Sequence, residues 1–140
     1  MSHALVVGRG FIGRAVAAAL AADQVRVVGH DALADAHLLR GVATVLYAGR
    51  NPALGGEAWR LEDDVELALA RRAAPARVSF ISLGTRKVYA PSTNSLSETD
   101  RVGPVDAYGA QKLELEHALA AALGRRLTRS VSLRLLVDGA

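Results

Sequence analysis

A doubly wound parallel α/β sheet is the fold this 140-residue sequence predicts. Three observations predict it: short continuous apolar runs, amphipathic segments alternating with them, and a glycine-rich turn joining the first run to the first amphipathic segment. The chain is 51% hydrophobic and 22% charged, the balance of one folded domain spanning residues 1–140 and not of a disordered chain. It contains no cysteine, so a disulfide framework, a zinc ribbon and a thiol nucleophile are excluded. The first ten residues lack the pattern of a secretory leader, and the uncharged run Ala15 to Ala22 is far too short to span a bilayer. A cytoplasmic protein with no membrane partner is expected.

The elements follow in order. Ala4 to Val7 is a buried strand ending in Gly8, and Ile12 to Ala22 a helix with Ile12, Val16, Ala19 and Leu20 on one face. Val25 to Val28 is the second strand. Ten residues, Ala32 to Gly41, precede the apolar run Val42 to Ala48 and leave room for one short crossover helix and no extra strand. Asn51 to Gly56 is a loop. Leu61 to Ala74 is a helix with Glu62, Asp63 and Asp64 in its first turn, where the macrodipole favours carboxylates, and Pro75 ends it. Val78 to Leu83 is a strand, Ala90 to Gly103 a polar loop long enough to carry function, Tyr108 to Leu123 a helix, and Arg129 to Val137 a final strand.

Gly8-Arg9-Gly10-Phe11-Ile12-Gly13 is a G-x-G-x-x-G turn between a strand and a helix, where that spacing has a mechanism. The first glycine permits the tight turn, the second lets backbone approach a pyrophosphate, and the third lets helix and strand pack closely. Asp31 stands 18 positions after Gly13 at the end of the second strand, where a carboxylate accepts both hydroxyls of an adenosine ribose. NAD is therefore the expected cofactor, on a Rossmann-type sheet. A 2'-phosphate would meet the Asp31 charge, which Arg9 and His30 are close enough in sequence to offset, so NADP stays open. Otherwise His30 is expected to be an ordinary exposed turn residue.

Tyr108 and Lys112 are four apart on a helix and share one face. An ammonium beside a phenol stabilises the phenolate, which suits the tyrosine to general acid–base work. Lys112 also stands out in a chain whose 17 basic residues include only one other lysine, Lys87. The net charge of +3 raises nucleic acid as a partner. The basic residues are scattered, however, and no aromatics interleave them, so no nucleic acid is expected.

The stretch Ser97-Glu98-Thr99-Asp100, Pro104 and Tyr108-Gly109-Ala110-Gln111-Lys112-Leu113-Glu114 resembles the extended short-chain dehydrogenase/reductases, the NAD-dependent nucleotide-sugar epimerase/dehydratase group. Phe80 to Tyr89 resembles that family's strand and loop ending in Val-Tyr, and Val45-Leu46-Tyr47-Ala48-Gly49 the strand whose end lies along the cofactor. The resemblance implies a catalytic triad of Thr85, Tyr108 and Lys112. Tyr108 would exchange the proton of a substrate hydroxyl or carbonyl, Thr85 would hydrogen-bond the same oxygen, and Lys112 would tune Tyr108 and hold the nicotinamide ribose. Cofactor binding would fall to Gly8, Arg9, Gly10, Phe11, Ile12, Gly13, Asp31, Ala48, Gly49 and Lys112, with no metal. The implied activity is hydride transfer on a sugar or nucleotide-sugar alcohol or ketone, as an epimerase or ketoreductase.

Several residues depart from that pattern. Thr85 is followed by Arg86 and Lys87 where sugar 4,6-dehydratases carry an acidic pair, so dehydration is not expected. The glycine turn is one residue shorter than the extended family's. The short link from Asp31 to Val42 implies a sheet trimmed on the adenine side. Leu135-Leu136-Val137-Asp138-Gly139 lacks the family's Asn and Gly-Pro, and its C-terminal substrate lobe does not follow. The chain then reads as the N-terminal part of a larger oxidoreductase, as a shortened relative, or as a dinucleotide-binding module without turnover. The family's pairing of two helices permits a homodimer through Leu61 to Ala74 and Tyr108 to Leu123, although Leu115, Leu119 and Ala122 would equally serve as core.

Overall fold

The structure, a computed structural model, describes residues 2–49, 51, 53–83 and 106–130, the last two as backbone. Within them the order is β1 (His3–Val7), α1 (Phe11–Ala19), β2 (Val25–Val28), a 3-10 turn (His30–Ala34), β3 (Val42–Tyr47) and a second 3-10 turn (Leu61–Asp63). There follow α2 (Val65–Ala73), β4 (Ser79–Leu83), α3 (Ala107–Leu123), a third 3-10 turn (Gly124–Arg126) and β5 (Leu127–Ser130). The described strands form one parallel sheet in the order β2-β1-β3-β4-β5. The chain runs from β1 out to the β2 edge and returns across β1 to β3. That reversal lies between β1 and β3, the crevice in which open α/β sheets hold ligands. Val7 stands opposite both Val28 and Tyr47, and Tyr47 opposite Ser82, so the carboxyl ends of four strands share one edge.

Alternation along the strands sends Leu5, Val7, Val45, Tyr47 and Phe80 to one face, where they meet Leu67, Ala70 and Ala73 of α2 and Leu115, Leu119 and Leu123 of α3. Each large side chain buried there contributes about 1.5–3 kcal/mol of hydrophobic stabilisation. Leu115 and Leu119 thus belong to the chain's own core. On the other face Val6 and Leu46 are buried, and Gly13 of α1 closes onto Val6.

Several boundaries differ from the sequence reading. Helix α1 stops at Ala19, with Leu20 already extended, because the residues up to Gln24 are spent on a turn into β2. No α-helix forms across 32–41. Asp35 folds its carboxylate onto the backbone N–H of His37, consecutive turns carry the chain over β1, and Leu38 plugs the core. The guanidinium of Arg72 ties this crossover down by donating to the carbonyl oxygens of Leu33 at 2.8 Å and Asp35 at 2.7 Å.

The expected helix from Leu61 splits at Asp64, which caps α2 by accepting from the N–H of Leu67. Helix α3 gains a cap of the same kind from Asp106, and β5 begins at Leu127, two residues before Arg129. The expected loop from Ala90 to Gly103 and the end of the last strand lie outside the described residues. No described helix is long and apolar enough to cross a membrane.

Candidate functional site

The glycine turn leaves β1 with Gly8 at φ +121°, a conformation that L side chains rarely adopt. A Cβ there would stand 2.6 Å from the backbone nitrogen of Gly49 and 2.8 Å from the carbonyl carbon of Ala48. Close approach of the β1 and β3 ends, fixed by the N–H of Ala48 donating to the Val7 carbonyl at 2.8 Å, therefore requires glycine. A Cβ on Gly13 would run into the Gly8 carbonyl oxygen, while one on Gly10 would meet nothing within 4 Å. Gly10 caps α1 without a side-chain acceptor, which leaves the first-turn N–H groups for an anion. Phe11 is 80% exposed beside them, and Ile12 is half-buried.

Beyond the turn, Gly29 gathers two expected residues. A Cβ there would lie 2.8 Å from Oδ1 of Asp31 and 3.8 Å from the Arg9 guanidinium carbon, so the exposed carboxylate and guanidinium converge on the end of β2. His30 is an exposed turn residue, as expected, and it also reaches across β1. Its Nε2 lies 2.8 Å from the hydroxyl of Tyr47, and its ring occupies the space a Cβ on Gly49 would need.

Tyr47 is 3% exposed and stacks on Phe80. Burial, then the negative charges of Glu66 and Asp64, push its phenol far above the ordinary tyrosine value, so Tyr47 stays protonated. Asp64 accepts from the indole N–H of Trp59 at 2.9 Å as well as capping α2.

The other half of the edge is made of buried polar side chains. Nζ of Lys112 lies 3.7 Å from Oε1 of Glu66, and the hydroxyl of Ser82 donates to Oε2 of Glu66 at 2.6 Å. Burial pushes the Glu66 carboxyl up from its ordinary range, against the opposing pull of the Lys112 ammonium and the Ser82 hydrogen bond. One turn before Lys112, Tyr108 is half-buried against the core, its ring beside Gly55. Gln111 holds that same loop through both ends of its amide, accepting from the N–H of Gly55 at 2.6 Å and donating to the carbonyl of Gly56 at 2.8 Å.

The structure thus gathers Gly8, Arg9, Gly10, Gly13, Asp31, Ala48 and Gly49 at one end of the edge, and carries Tyr108 and Lys112 on one helix at the other. Thr85 lies outside the described residues. Sequence reasoning missed Glu66 and Ser82. A signal was present: Glu66, Leu69, Ala70 and Ala73 form the inward stripe of α2, and Lys112, Leu115, Glu116 and Leu119 that of α3, so both helices place charge where the spacing demands apolar residues. Among the described residues no cluster of His, Cys, Asp or Glu could hold a metal ion.

A parallel sheet reversing beside a glycine turn, with helices on both faces, is a Rossmann-type fold, as the sequence predicts. Solved structures share it. A dTDP-4-dehydrorhamnose reductase from Clostridium acetobutylicum superposes with a TM-score of 0.71 at 19% identity, over 91% of this chain and 51% of that one. A UDP-glucuronic acid 4-epimerase from Bacillus cereus in complex with NAD gives 0.70 at 19% identity, over 91% and 55%. A dTDP-4-dehydrorhamnose reductase from Bacillus anthracis in complex with NADP gives 0.70 at 9% identity, over 92% and 52%. The chain spans about half the length of these structures. No family model and no curated protein matches it.

Proposed function

We propose that this chain binds a nicotinamide dinucleotide along the carboxyl edge of its sheet, as the cofactor-binding part of an epimerase or ketoreductase acting on a sugar or nucleotide sugar. The observation that carries the reading is the glycine turn at the β1–β3 reversal. Glycine is sterically required at Gly8 and Gly13, whereas at Gly10, the cap of α1, a side chain would meet nothing in the fold. That is the cradle a pyrophosphate needs. Asp31 would take the adenosine ribose hydroxyls and favour NAD, with Arg9 beside it able to meet a 2'-phosphate. Lys112 would hold the nicotinamide ribose. Tyr108 would move the proton of the substrate oxygen with Thr85 hydrogen-bonded to it, and the bound nicotinamide would supply hydride transfer. The neighbours crystallised with NAD and with NADP support this assignment.

Calorimetric titration with NAD, NADH, NADP and NADPH tests it. Saturable binding that prefers NAD(H), with the preference falling about tenfold in Asp31→Ala, is the expected result. Absence of binding by all four would refute the reading. A Tyr108→Phe variant should bind as the parent does and lose hydride exchange, and full turnover by it would remove Tyr108 from the chemistry.

A further inference from the structure

Lysine carries a compact charge on a flexible four-carbon stem, so an ammonium held at one place needs something to hold it. Here Lys112 is 7% exposed and approached by a carboxylate from a different helix, itself fastened by a hydroxyl from the sheet. Three elements therefore meet at Glu66: α3 through Lys112, α2 through Glu66 itself, and β4 through Ser82. Ser82 pairs with Tyr47, the last residue of β3, which places the group at the same carboxyl edge as the glycine turn. An ammonium carries three N–H donors, more than the single Glu66 oxygen at 3.7 Å takes up.

We propose that Glu66 is a positioning residue for Lys112, fixing the ammonium at the sheet edge so that dinucleotide affinity depends on Glu66 being ionised. The proposal rests on the reading that Lys112 contacts the dinucleotide. Among the described residues the groups around Glu66 are Lys112 of α3, the Ser82 hydroxyl of β4, the phenol of Tyr47 on β3 and Asp64 at the α2 cap, with Glu116 buried one turn further along α3. Of these, Lys112 and Ser82 favour the Glu66 anion and Asp64 disfavours it. Burial holds its proton more tightly than an exposed carboxylate would, so Glu66 loses its charge at a higher pH than an exposed carboxylate does.

Two measurements test it. The first needs no nucleotide: limited acylation by an anhydride near neutral pH, read by mass spectrometry as the ratio of modification at Lys112 to that at Lys87. In Glu66→Gln the ammonium loses the carboxylate that holds it in the interior and swings out to water, where the anhydride can reach it. The ratio should rise about tenfold. An unchanged ratio in a folded Glu66→Gln protein would overturn the claim that Glu66 holds Lys112.

The second is NADH affinity against pH. The parent should weaken on the acid side, Glu66→Gln should bind more weakly and lose that acid limb, and Ser82→Ala, which deprives the carboxylate of a hydrogen bond, should move the limb to higher pH. Identical profiles for parent and Ser82→Ala would overturn the dependence even if Glu66→Gln fails to fold. If the parent binds no dinucleotide, the proposed function fails, while the acylation ratio still decides whether Glu66 positions Lys112.

Discussion

Around the β1–α1 turn the carboxyl edge is built from backbone: three glycines, a helix N-terminus, and an exposed carboxylate and guanidinium at its rim. Beneath α2 and α3 the same edge is built from buried side chains, with Lys112, Glu66 and Ser82 linked to one another. The first half keeps its shape because certain atoms are absent. The second keeps it because charges removed from water must stay paired. Their failures should differ accordingly.

Gly13→Ala should have the largest effect. Its methyl group is driven into the Gly8 carbonyl oxygen, and neither atom sits on a side chain that can rotate away. A loss of about 3 kcal/mol in denaturant unfolding is expected. Gly10→Ala is the matched control, since its methyl group meets nothing within 4 Å and stability should change by less than about 1 kcal/mol. Dinucleotide affinity should nevertheless fall, because the methyl group enters the cradle. A Gly13→Ala protein as stable as its parent would remove the backbone half of the comparison.

Lys112→Met should match Gly13→Ala, costing about 3 kcal/mol near neutral pH by leaving Glu66 buried without its counter-charge. The sign of its pH dependence is fixed. The carboxyl of Glu66 titrates higher in the folded chain than in the unfolded one, so the folded state binds the extra proton between those two values. Its stabilising share is full below the ordinary carboxylate range and is lost as pH rises through the raised folded value. Removing Lys112 raises that folded value further, so the cost of the substitution should shrink as the solution is made acid. Urea unfolding of both proteins across that window measures it, and a cost independent of pH would show that the ion pair does not stabilise the core.

The same contrast explains what could be read from the sequence. The backbone half was legible because a turn that needs glycine writes glycine, and because Asp31 follows at a spacing set by one helix and one strand. Tyr108 and Lys112 were legible through helical spacing. Glu66 and Ser82 were not, since Lys112 finds its partner 46 residues back in the chain, and no local rule pairs positions so far apart. That the crossover carries a 3-10 turn and no α-helix has a similar origin. Residues 32–41 carry enough helix-forming side chains, but Asp35 turns the chain and Leu38 takes the core position, so tertiary packing overrides local preference.

Tyr47 is where the halves come closest, its hydroxyl bonded to His30 on the glycine side and its ring lying within the field of Glu66 and Asp64 on the other. Tyr47→Phe removes that hydroxyl and leaves His30 to water, so the single loss should be small, about 0.5–1 kcal/mol. Combination with Lys112→Met is more informative than either alone. If the halves are held by independent means, the two losses should add to within about 0.5 kcal/mol in urea unfolding. A coupling clearly larger than that would mean that the phenol transmits the state of the buried ion pair to His30. The edge would then be one polar network, and a change at Lys112 would be felt where the adenosine end of a dinucleotide is proposed to bind.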